Sequence, residues 1–283
     1  MHKMTQFHII GPGRLGLALA KSLMNLPNYE LVNIYHPSIA AAKSACEALG
    51  AGEPVDNYAN LEHCDITFIT APDDAIKEIA KALALNPPSD YVFHCSGIQS
   101  AQALAPLAKQ NVCIGSMHPL KAFRKDSYLE SNPFQDVNCA IEGEFELLTQ
   151  LVKHLGGHAF SIDANQKALY HTAAIMASNY QVSLAHEACA HLVKAGLGEE
   201  EALRLTTMLM QTSLDNLKAV DMPELALTGP LARGDISTVQ KHLEALKAPE
   251  ERVLYRALAH KTLSITSLSH DTIAALEELL EQP

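Results

Sequence analysis

Residues 7–16, with the sequence FHIIGPGRLG, place a short apolar segment directly before three closely spaced glycines. The apolar segment predicts a buried strand, and residues 17–26 predict a helix. Between them, the spacing of Gly11, Gly13 and Gly16 is typical of a turn that binds a dinucleotide. Gly11 permits the tight turn, Gly13 lets the backbone approach a pyrophosphate, and Gly16 lets helix and strand pack closely. The helix N-terminus then offers N–H groups and a positive dipole end to the phosphates.

The chain continues to alternate between strand-like and helical segments up to residue 162. Helices are predicted over residues 39–49, 75–85 and 144–155. Further strands are predicted over residues 31–35, 65–70, 91–95, 112–116, 138–141 and 158–162. The alternation predicts an α/β domain, residues 1–162, with a doubly wound parallel Rossmann sheet and right-handed crossovers.

From residue 163 onward the sequence predicts helices alone, which indicates an all-helical C-terminal domain, residues 163–283. Glycine and proline residues separate these helices, predicted over residues 165–195, 199–220, 237–246, 248–267 and 272–281. The apolar stretch Ala202–Met210 is more than a small helical domain buries alone. We therefore expect a homodimer joined through this domain.

Composition restricts the classes of partner. The 283 residues carry a formal net charge of −11, which argues against non-specific binding to nucleic acid or to an anionic membrane surface. The six cysteines include no CxxC pair and do not indicate a disulfide framework. Gly11 to Gly16 interrupt the first apolar run, so we expect no signal peptide, and no stretch reaches membrane-spanning length. We expect a cytoplasmic protein that acts on a small molecule.

The end of the second predicted strand indicates which cofactor is bound. NAD enzymes usually place Asp or Glu there, but this chain has His36, Pro37 and Ser38. We therefore expect NADP rather than NAD. Contacts to the cofactor are predicted from the glycine turn, including Arg14 and Leu15, from Ser38, and from Ala71 and Pro72 after the third strand.

Four polar residues are candidates for the chemistry. Ser96 and His118 follow two strands of the sheet, where ligands bind in doubly wound folds. Lys167 and His171 lie four residues apart and share a helix face. Reduction of a carbonyl needs a proton at the oxygen, which an ammonium or imidazolium can supply. We expect Lys167, His171 and His118 to be catalytic, and Ser96 to contact the cofactor or a substrate carboxylate.

Two further residues are predicted to bind substrate, and one motif is interpreted as structural. Asn179 lies twelve residues beyond Lys167, too far on a straight helix to touch the same small group. Arg233 could hold a carboxylate with its planar guanidinium. His186, Glu187 and His191 form HExxxH, one residue longer than the zinc motif, and we expect no metal there.

Taken together, these segments resemble a family of Rossmann-like proteins with a helical C-terminal domain of formerly unknown function, within the 6-phosphogluconate dehydrogenase-like group. The resemblance rests on residues 11–16, 96–97, 116–120, 167, 170–171, 178–179, 227–230 and 233–235. Some members look like an alternative ketopantoate reductase, which implies pantoate synthesis and a dimer. In ordinary ketopantoate reductases a helix lysine is the acid/base, with an asparagine four residues on. Lys167 matches that lysine, whereas His171 stands in place of the asparagine.

Three functions stay open at this point. The first is NADPH-dependent reduction of a small 2-keto acid, with ketopantoate as the best candidate and Lys167 as proton donor. The second is an imine reductase or a prephenate-type dehydrogenase, since His118-Pro119 also resembles prephenate dehydrogenases. The third is a dinucleotide-binding sensor without catalytic activity.

Overall fold

A computed structural model describes residues 4–282. Its single sheet has eight strands in the order β3-β2-β1-β4-β5-β6-β7-β8. The strands are β1 Thr5–Ile10, β2 Tyr29–Tyr35, β3 Glu53–Val55, β4 Cys64–Ile69, β5 Ser89–His94, β6 Cys113–Pro119, β7 Asn138–Gly143 and β8 His158–Ser161. The predicted Rossmann sheet is confirmed, with β1 at the point where the strand order reverses.

Two features of the sheet differ from the sequence prediction. β7 pairs antiparallel with β6, because residues 120–137 between them contain only a short 3₁₀ turn at Ser127–Leu129 and no crossover helix. β3 was not predicted, because it is only three residues long and contains Pro54. A proline is tolerated there since β3 lies at the sheet edge and pairs with β2 alone.

Twelve α-helices are found in the described part of the chain. They are α1 Arg14–Met24, α2 Ile39–Leu49, α3 Ile76–Leu83, α4 Ala105–Ala108, α5 Phe145–His154, α6 Lys167–Ala177, α7 Asn179–Lys194, α8 Glu199–Lys218, α9 Pro230–Arg233, α10 Ile236–Ala245, α11 Pro249–Leu263 and α12 His270–Glu281. The predicted all-helical region after residue 163 is confirmed. None of the helices within residues 4–282 is long and apolar enough to cross a membrane.

The single helix predicted over residues 165–195 is wrong, because Ser178 separates α6 from α7. Its backbone lies outside the helical region, at φ −127° and ψ −72°. The Ser178 hydroxyl donates a 2.6 Å hydrogen bond to the carbonyl oxygen of Ala174, four residues earlier. Such back-bonding bends helices. The break brings Asn179 to the start of a new helix.

The core of the sheet follows from the alternation of side chains along each strand. Ile9 and Phe68 are fully buried in one cluster, whereas Ile10 and Ile69, their neighbours in sequence, lie in another. Successive strand residues point to opposite faces, so the two clusters are the two faces of one sheet, each covered by helices.

The chain forms two compact units, the first ending at Val182 and the second beginning at Ser183. The first unit therefore contains α6, with Lys167, as well as the sheet. The second unit has its own apolar core, built from Val239, Leu243, Ala259, Leu263, Leu276, Leu279 and Leu280. The domain boundary that the sequence predicts between residues 162 and 163 stays a prediction.

Candidate active site

The glycine turn opens onto a cavity of about 650 Å³ at the carboxyl ends of β1, β2 and β4, which we name the glycine-turn cavity. Its lining includes most of the residues predicted to bind a cofactor: Gly11, Gly13, Arg14, Leu15, Ala71 and Pro72. Gly16 and Ser38 do not line it. Gly16 instead packs against β4, where a Cβ would lie 2.6 Å from the Thr70 hydroxyl oxygen.

The backbone of the turn leaves room for a bulky anion. Gly11 has φ +89°, and a Cβ there would lie 2.7 Å from the Cα of Ala71, so only glycine fits. The hydroxyl of Thr70 donates a 2.7 Å hydrogen bond to the Gly11 carbonyl oxygen and fixes the turn. Gly13 caps α1, and a Cβ there would meet nothing within 4 Å. The open space at the N-terminus of α1 fits a pyrophosphate.

Two tyrosines and a histidine line this cavity near the end of β2. Tyr35 and Tyr58 stack with their ring centroids 4.0 Å apart, and both line the cavity with His36. His36 Nδ1 accepts a 3.0 Å hydrogen bond from the backbone N–H of Ser38. Among the described residues that line the cavity, Arg14 is the one charged side chain. An adenosine with or without a 2′-phosphate meets no carboxylate here.

A second cavity of about 530 Å³, which we name the histidine cleft, lies beside the first. Its lining includes four of the predicted site residues: Arg14, His118, His171 and Asn179. Arg14 lines both cavities. Lys167 and Ser96 are buried and do not line the histidine cleft.

Lys167 is 1% exposed and is held by two polar groups. Its ammonium donates a 2.6 Å hydrogen bond to the Ser116 hydroxyl and lies 3.4 Å from a carboxylate oxygen of Glu142. Burial lowers the pKa of Lys167, and the Glu142 charge offsets part of that shift. A buried ammonium with a lowered pKa is a better acid than a solvated lysine.

The spacing of side chains explains how these groups meet. Ser116 and His118 are two apart on β6 and share a face, while Glu142 lies directly opposite Ser116 on β7. Lys167 and Tyr170 share a face of α6. Ser116 therefore pairs with Lys167, and His118 pairs with Tyr170 through a 2.8 Å hydrogen bond between Nδ1 and the hydroxyl oxygen.

His118 is kept neutral by its surroundings. Burial lowers its pKa to about 4, with further lowering from the charges of His171 and Lys167. Burial raises the pKa of Tyr170, so the phenol stays protonated and can donate to His118 Nδ1. With Nδ1 accepting, the remaining ring proton lies on Nε2. A neutral imidazole of this kind can donate a hydrogen bond to a carbonyl oxygen.

Gly97 allows the two histidines of the cleft to approach the loop after β5. A Cβ on Gly97 would lie 2.6 Å from His171 Nδ1 and 2.8 Å from His118 Nε2. The two imidazole rings have their centroids 5.7 Å apart. His171 Nδ1 is buried with no hydrogen-bond partner among the described residues. A polar atom of a bound molecule could satisfy it.

Ser96 shapes the same loop. Its hydroxyl oxygen accepts hydrogen bonds from the backbone N–H groups of Ile98 at 3.2 Å and Gln99 at 2.9 Å. Its own N–H donates to Nδ1 of His94, whose Nε2 contacts the carbonyl oxygen of Ser100. His94 is fully buried, which lowers its pKa to about 4. These bonds fix the loop that carries Gly97, and the predicted ligand contact of Ser96 stays a prediction.

The two remaining residues predicted to bind substrate lie in different units of the chain. Asn179 lies in the cleft because the helix breaks at Ser178. Arg233 ends α9 in the second unit, beside Gly234 at φ +71°, and its role in binding a carboxylate stays a prediction. Sequence reasoning missed Glu142 and the steric role of Gly97. Glu142 is recognised by the strand register that places it opposite Ser116, and this register is not known before the strands are paired.

Among residues 4–282, one group of potential metal ligands is found, and it lies in the second unit. Ligand atoms of Glu187, His191 and Glu251 lie within 4.8 Å of one another. His191 Nδ1 makes a 2.8 Å hydrogen bond to the Glu187 carbonyl oxygen, and the Lys194 ammonium contacts Glu251. A lysine therefore already places a positive charge beside this group, and the interpretation of HExxxH as structural stays a prediction.

Comparison with protein families identifies both parts of the chain. Residues 3–119 match a Rossmann-like domain, and residues 137–262 match a domain of unknown function, DUF2520. The two matches cover successive parts of the chain, the first within the sheet and the second from β7 to α11. The resemblance to a Rossmann-like family with a helical C-terminal domain of formerly unknown function is thus confirmed. A comparison with curated proteins found no match.

Several solved structures share this fold. A Bacteroides fragilis protein described as an NADP oxidoreductase is 20% identical, covers 92% of this chain and 98% of its own, and has a TM-score of 0.77. A Thermotoga maritima protein is 25% identical, with coverages of 97% and 98% and a TM-score of 0.62. The 1-pyrroline-5-carboxylate reductase of Streptococcus pyogenes is 18% identical, with coverages of 97% and 99% and a TM-score of 0.63.

Proposed function

We propose that this protein is an NADP-dependent oxidoreductase that reduces a small 2-keto acid, with ketopantoate as the substrate. The observation that carries the proposal is the pair of adjoining cavities: a glycine turn fitted to a dinucleotide, and a cleft lined by His118 and His171. Arg14 lines both, so a cofactor in one cavity and an anionic substrate in the other would share one guanidinium. The similarity of the fold to a protein described as an NADP oxidoreductase supports the choice of cofactor.

The glycine turn would hold the cofactor. The backbone around Gly11 and Gly13 would receive the pyrophosphate, and Ala71 and Pro72 would border it. Tyr35 and Tyr58 offer an aromatic surface to the adenosine. NADPH, when bound, supplies the hydride that is added to the keto carbon.

The groups around the histidine cleft would handle the oxygen of the substrate. Neutral His118 donates its Nε2–H to the carbonyl oxygen and polarises it, and His171 orients the same group. Lys167 supplies the proton: its ammonium turns from Ser116 toward the cleft as charge develops on the oxygen. The alkoxide becomes a hydroxyl, the lysine becomes a neutral amine, and water restores its proton.

A substrate carboxylate needs a cation, and two arginines are candidates. Arg14 faces the cleft and makes no ion pair with any described residue. Arg233, on the second unit, is the predicted alternative. Replacing Arg233 by alanine should mainly raise the Michaelis constant if this side chain holds the carboxylate equally in the ground state and in the transition state.

The deciding experiment is NADPH oxidation by the purified protein with ketopantoate, pyrroline-5-carboxylate, prephenate and other 2-keto acids offered separately. We expect turnover with ketopantoate. An imine reductase is the second candidate, favoured by the fold shared with pyrroline-5-carboxylate reductase, and turnover with pyrroline-5-carboxylate alone would support it. Binding of NADPH without turnover of any substrate would favour the sensor.

We further propose a homodimer formed through the helical region. α8 leaves large apolar side chains exposed, among them Leu203 at 56%, Met208 at 57% and Leu209 at 70%. Contiguous exposed apolar surface is typical of protein interfaces. Light scattering at micromolar concentration should give twice the mass of the chain, and a monomer there would contradict the proposal.

A further inference from the structure

The turn after β2 supplies no cation for the 2′-phosphate that distinguishes NADP from NAD. His36, Pro37 and Ser38 follow the strand, and the imidazole of His36 is engaged with the backbone of Ser38. Ser38 is exposed at the N-terminus of α2 and does not line the glycine-turn cavity. NADP-binding Rossmann proteins commonly place an arginine near this position. The cation must come from elsewhere in the chain.

A third cavity, which we name the α1–α2 groove, provides two cations next to this turn. Its volume is about 790 Å³, and it shares Pro12 and Ala41 with the glycine-turn cavity. Ser44 of α2 lines one side, and Arg124 and Lys125 line another. These two basic residues belong to residues 120–137, the connection between β6 and β7, far in sequence from the glycine turn.

The connection is fixed in place, so the two cations are held beside α2. Phe123 packs on Phe134 with the ring centroids 5.4 Å apart, and both contribute to the core. The buried Ser127 hydroxyl accepts a 2.9 Å hydrogen bond from the backbone N–H of Arg124. Asn25, at the end of α1, donates to the carbonyl oxygen of Ser131 at 3.2 Å. Binding therefore does not need to order this segment first.

The charges in the groove suit a phosphate. Lys125 makes no ion pair with any described residue, and the Arg124 Nε lies 3.5 Å from a carboxylate oxygen of Asp126. Both members of that pair are well exposed, so a phosphate dianion can replace the carboxylate at little cost. Arginine matches phosphate in a bidentate arrangement, and lysine adds a point charge.

We propose that Arg124 and Lys125 bind the 2′-phosphate of NADP and thereby set the preference for NADP over NAD. This inference rests on the proposed dinucleotide-binding function. The residues that distinguish NADP from NAD would then lie in the connection between β6 and β7, rather than in the turn after β2.

The test compares NADPH and NADH binding to the full-length wild-type protein and to the Arg124→Ala/Lys125→Ala double variant. We expect the dissociation constant for NADPH to rise about 10- to 100-fold, the effect of losing one or two charge-assisted hydrogen bonds. The constant for NADH should stay within about twofold, because NADH has no phosphate for these residues to bind. A Lys109→Ala/Lys153→Ala variant, which loses two exposed lysines elsewhere on the same unit, controls for net charge and should bind both cofactors normally.

Two further measurements make the result specific. Wild-type protein should bind 2′,5′-ADP more tightly than 5′-AMP, and the double variant should lose that difference. Asp126→Asn should strengthen NADPH binding alone, since it removes the carboxylate that pairs with Arg124. Equal weakening of NADPH and NADH, or no change in either, would overturn the inference. A wild-type protein that binds neither cofactor would instead overturn the proposed function.

Discussion

The glycine-turn cavity and the histidine cleft adjoin one another but are built in different ways. The first contains one continuous run of backbone, residues 10–15, and is completed by side chains that follow β2 and β4 and by residues of α2 and α3. The second combines side chains from β6 and α6 with Arg14, and it depends on Gly97 and Glu142 from two further segments. The continuous run of the glycine turn can be read from a sequence motif. A site made of distant side chains exists only after the strands and helices have paired.

The largest expected effect tests the glycine-turn cavity. Gly13→Val should abolish binding of both NADPH and NADH, because the new side chain would fill the open space that we assign to the pyrophosphate. Fluorescence titration of both cofactors measures this. Gly198→Val is the matched control: Gly198 also caps a helix and faces open space, but it lies in the second unit. Normal cofactor binding by Gly13→Val would show that the cavity does not hold a dinucleotide.

The second-largest expected effect tests the histidine cleft. Lys167→Ala should lower turnover about 100- to 10,000-fold, the usual contribution of a general acid, while NADPH affinity changes little. Because Lys167 is buried, Lys167→Met is a second variant that retains most of the side-chain volume. His171→Ala should lower turnover less than Lys167→Ala does if His171 only orients the substrate. Near-normal turnover in both Lys167 variants would move the proton donor to His118.

A smaller effect is expected when the cleft is distorted without removing any of its polar groups. Gly97→Ala places a methyl group within 3 Å of both His118 and His171, so the imidazoles must shift. A displacement of about 1 Å at a catalytic group can cost on the order of 100-fold in rate. We expect a loss of turnover up to that size with unchanged NADPH affinity. If NADPH binding weakens as much as turnover, the histidine cleft and the glycine-turn cavity are not independent of each other.

These cases show how far the sequence alone could lead. Residues 7–16 predicted the glycine turn and so the position of the cavity, and the alternation of strands and helices up to residue 162 predicted the Rossmann sheet, because these elements are determined locally. Ser178 could not be identified as a helix break, since it depends on a hydrogen bond to Ala174 that competes with a regular helix. Glu142 could not be assigned to Lys167 before the antiparallel register of β6 and β7 was known. His118 and Lys167 were identified as candidates, but not the phenol of Tyr170 as the partner of His118.

The smallest expected effect concerns the pH dependence of stability near the cleft. Burial lowers the pKa of His94 in the folded protein to about 4 from its ordinary value of about 6.5, so the unfolded chain binds this proton more readily. The stabilisation is complete above pH 6.5 and declines as the pH falls toward 4, by about 2 kcal/mol at pH 5. Denaturant unfolding at pH 7.5 and pH 5 measures the loss.

A pair of variants isolates the contribution of His94. His94→Asn should show a smaller loss of stability between pH 7.5 and pH 5 than the wild type, although it is less stable at both. His154→Asn, which replaces an exposed histidine on α5, should keep the wild-type pH dependence. An unchanged pH dependence in the His94 variant would mean that His94 is not held neutral by burial.

Arg14 gives the two cavities a thermodynamic connection. Its guanidinium lines both, so a cofactor that engages it changes the charge that a substrate meets in the neighbouring cleft. Any such change in substrate affinity must be matched by an equal change in cofactor affinity when substrate binds first. A single exposed side chain at the start of α1 thus links the occupancy of one cavity to that of the other, and the link has the same size whichever ligand binds first.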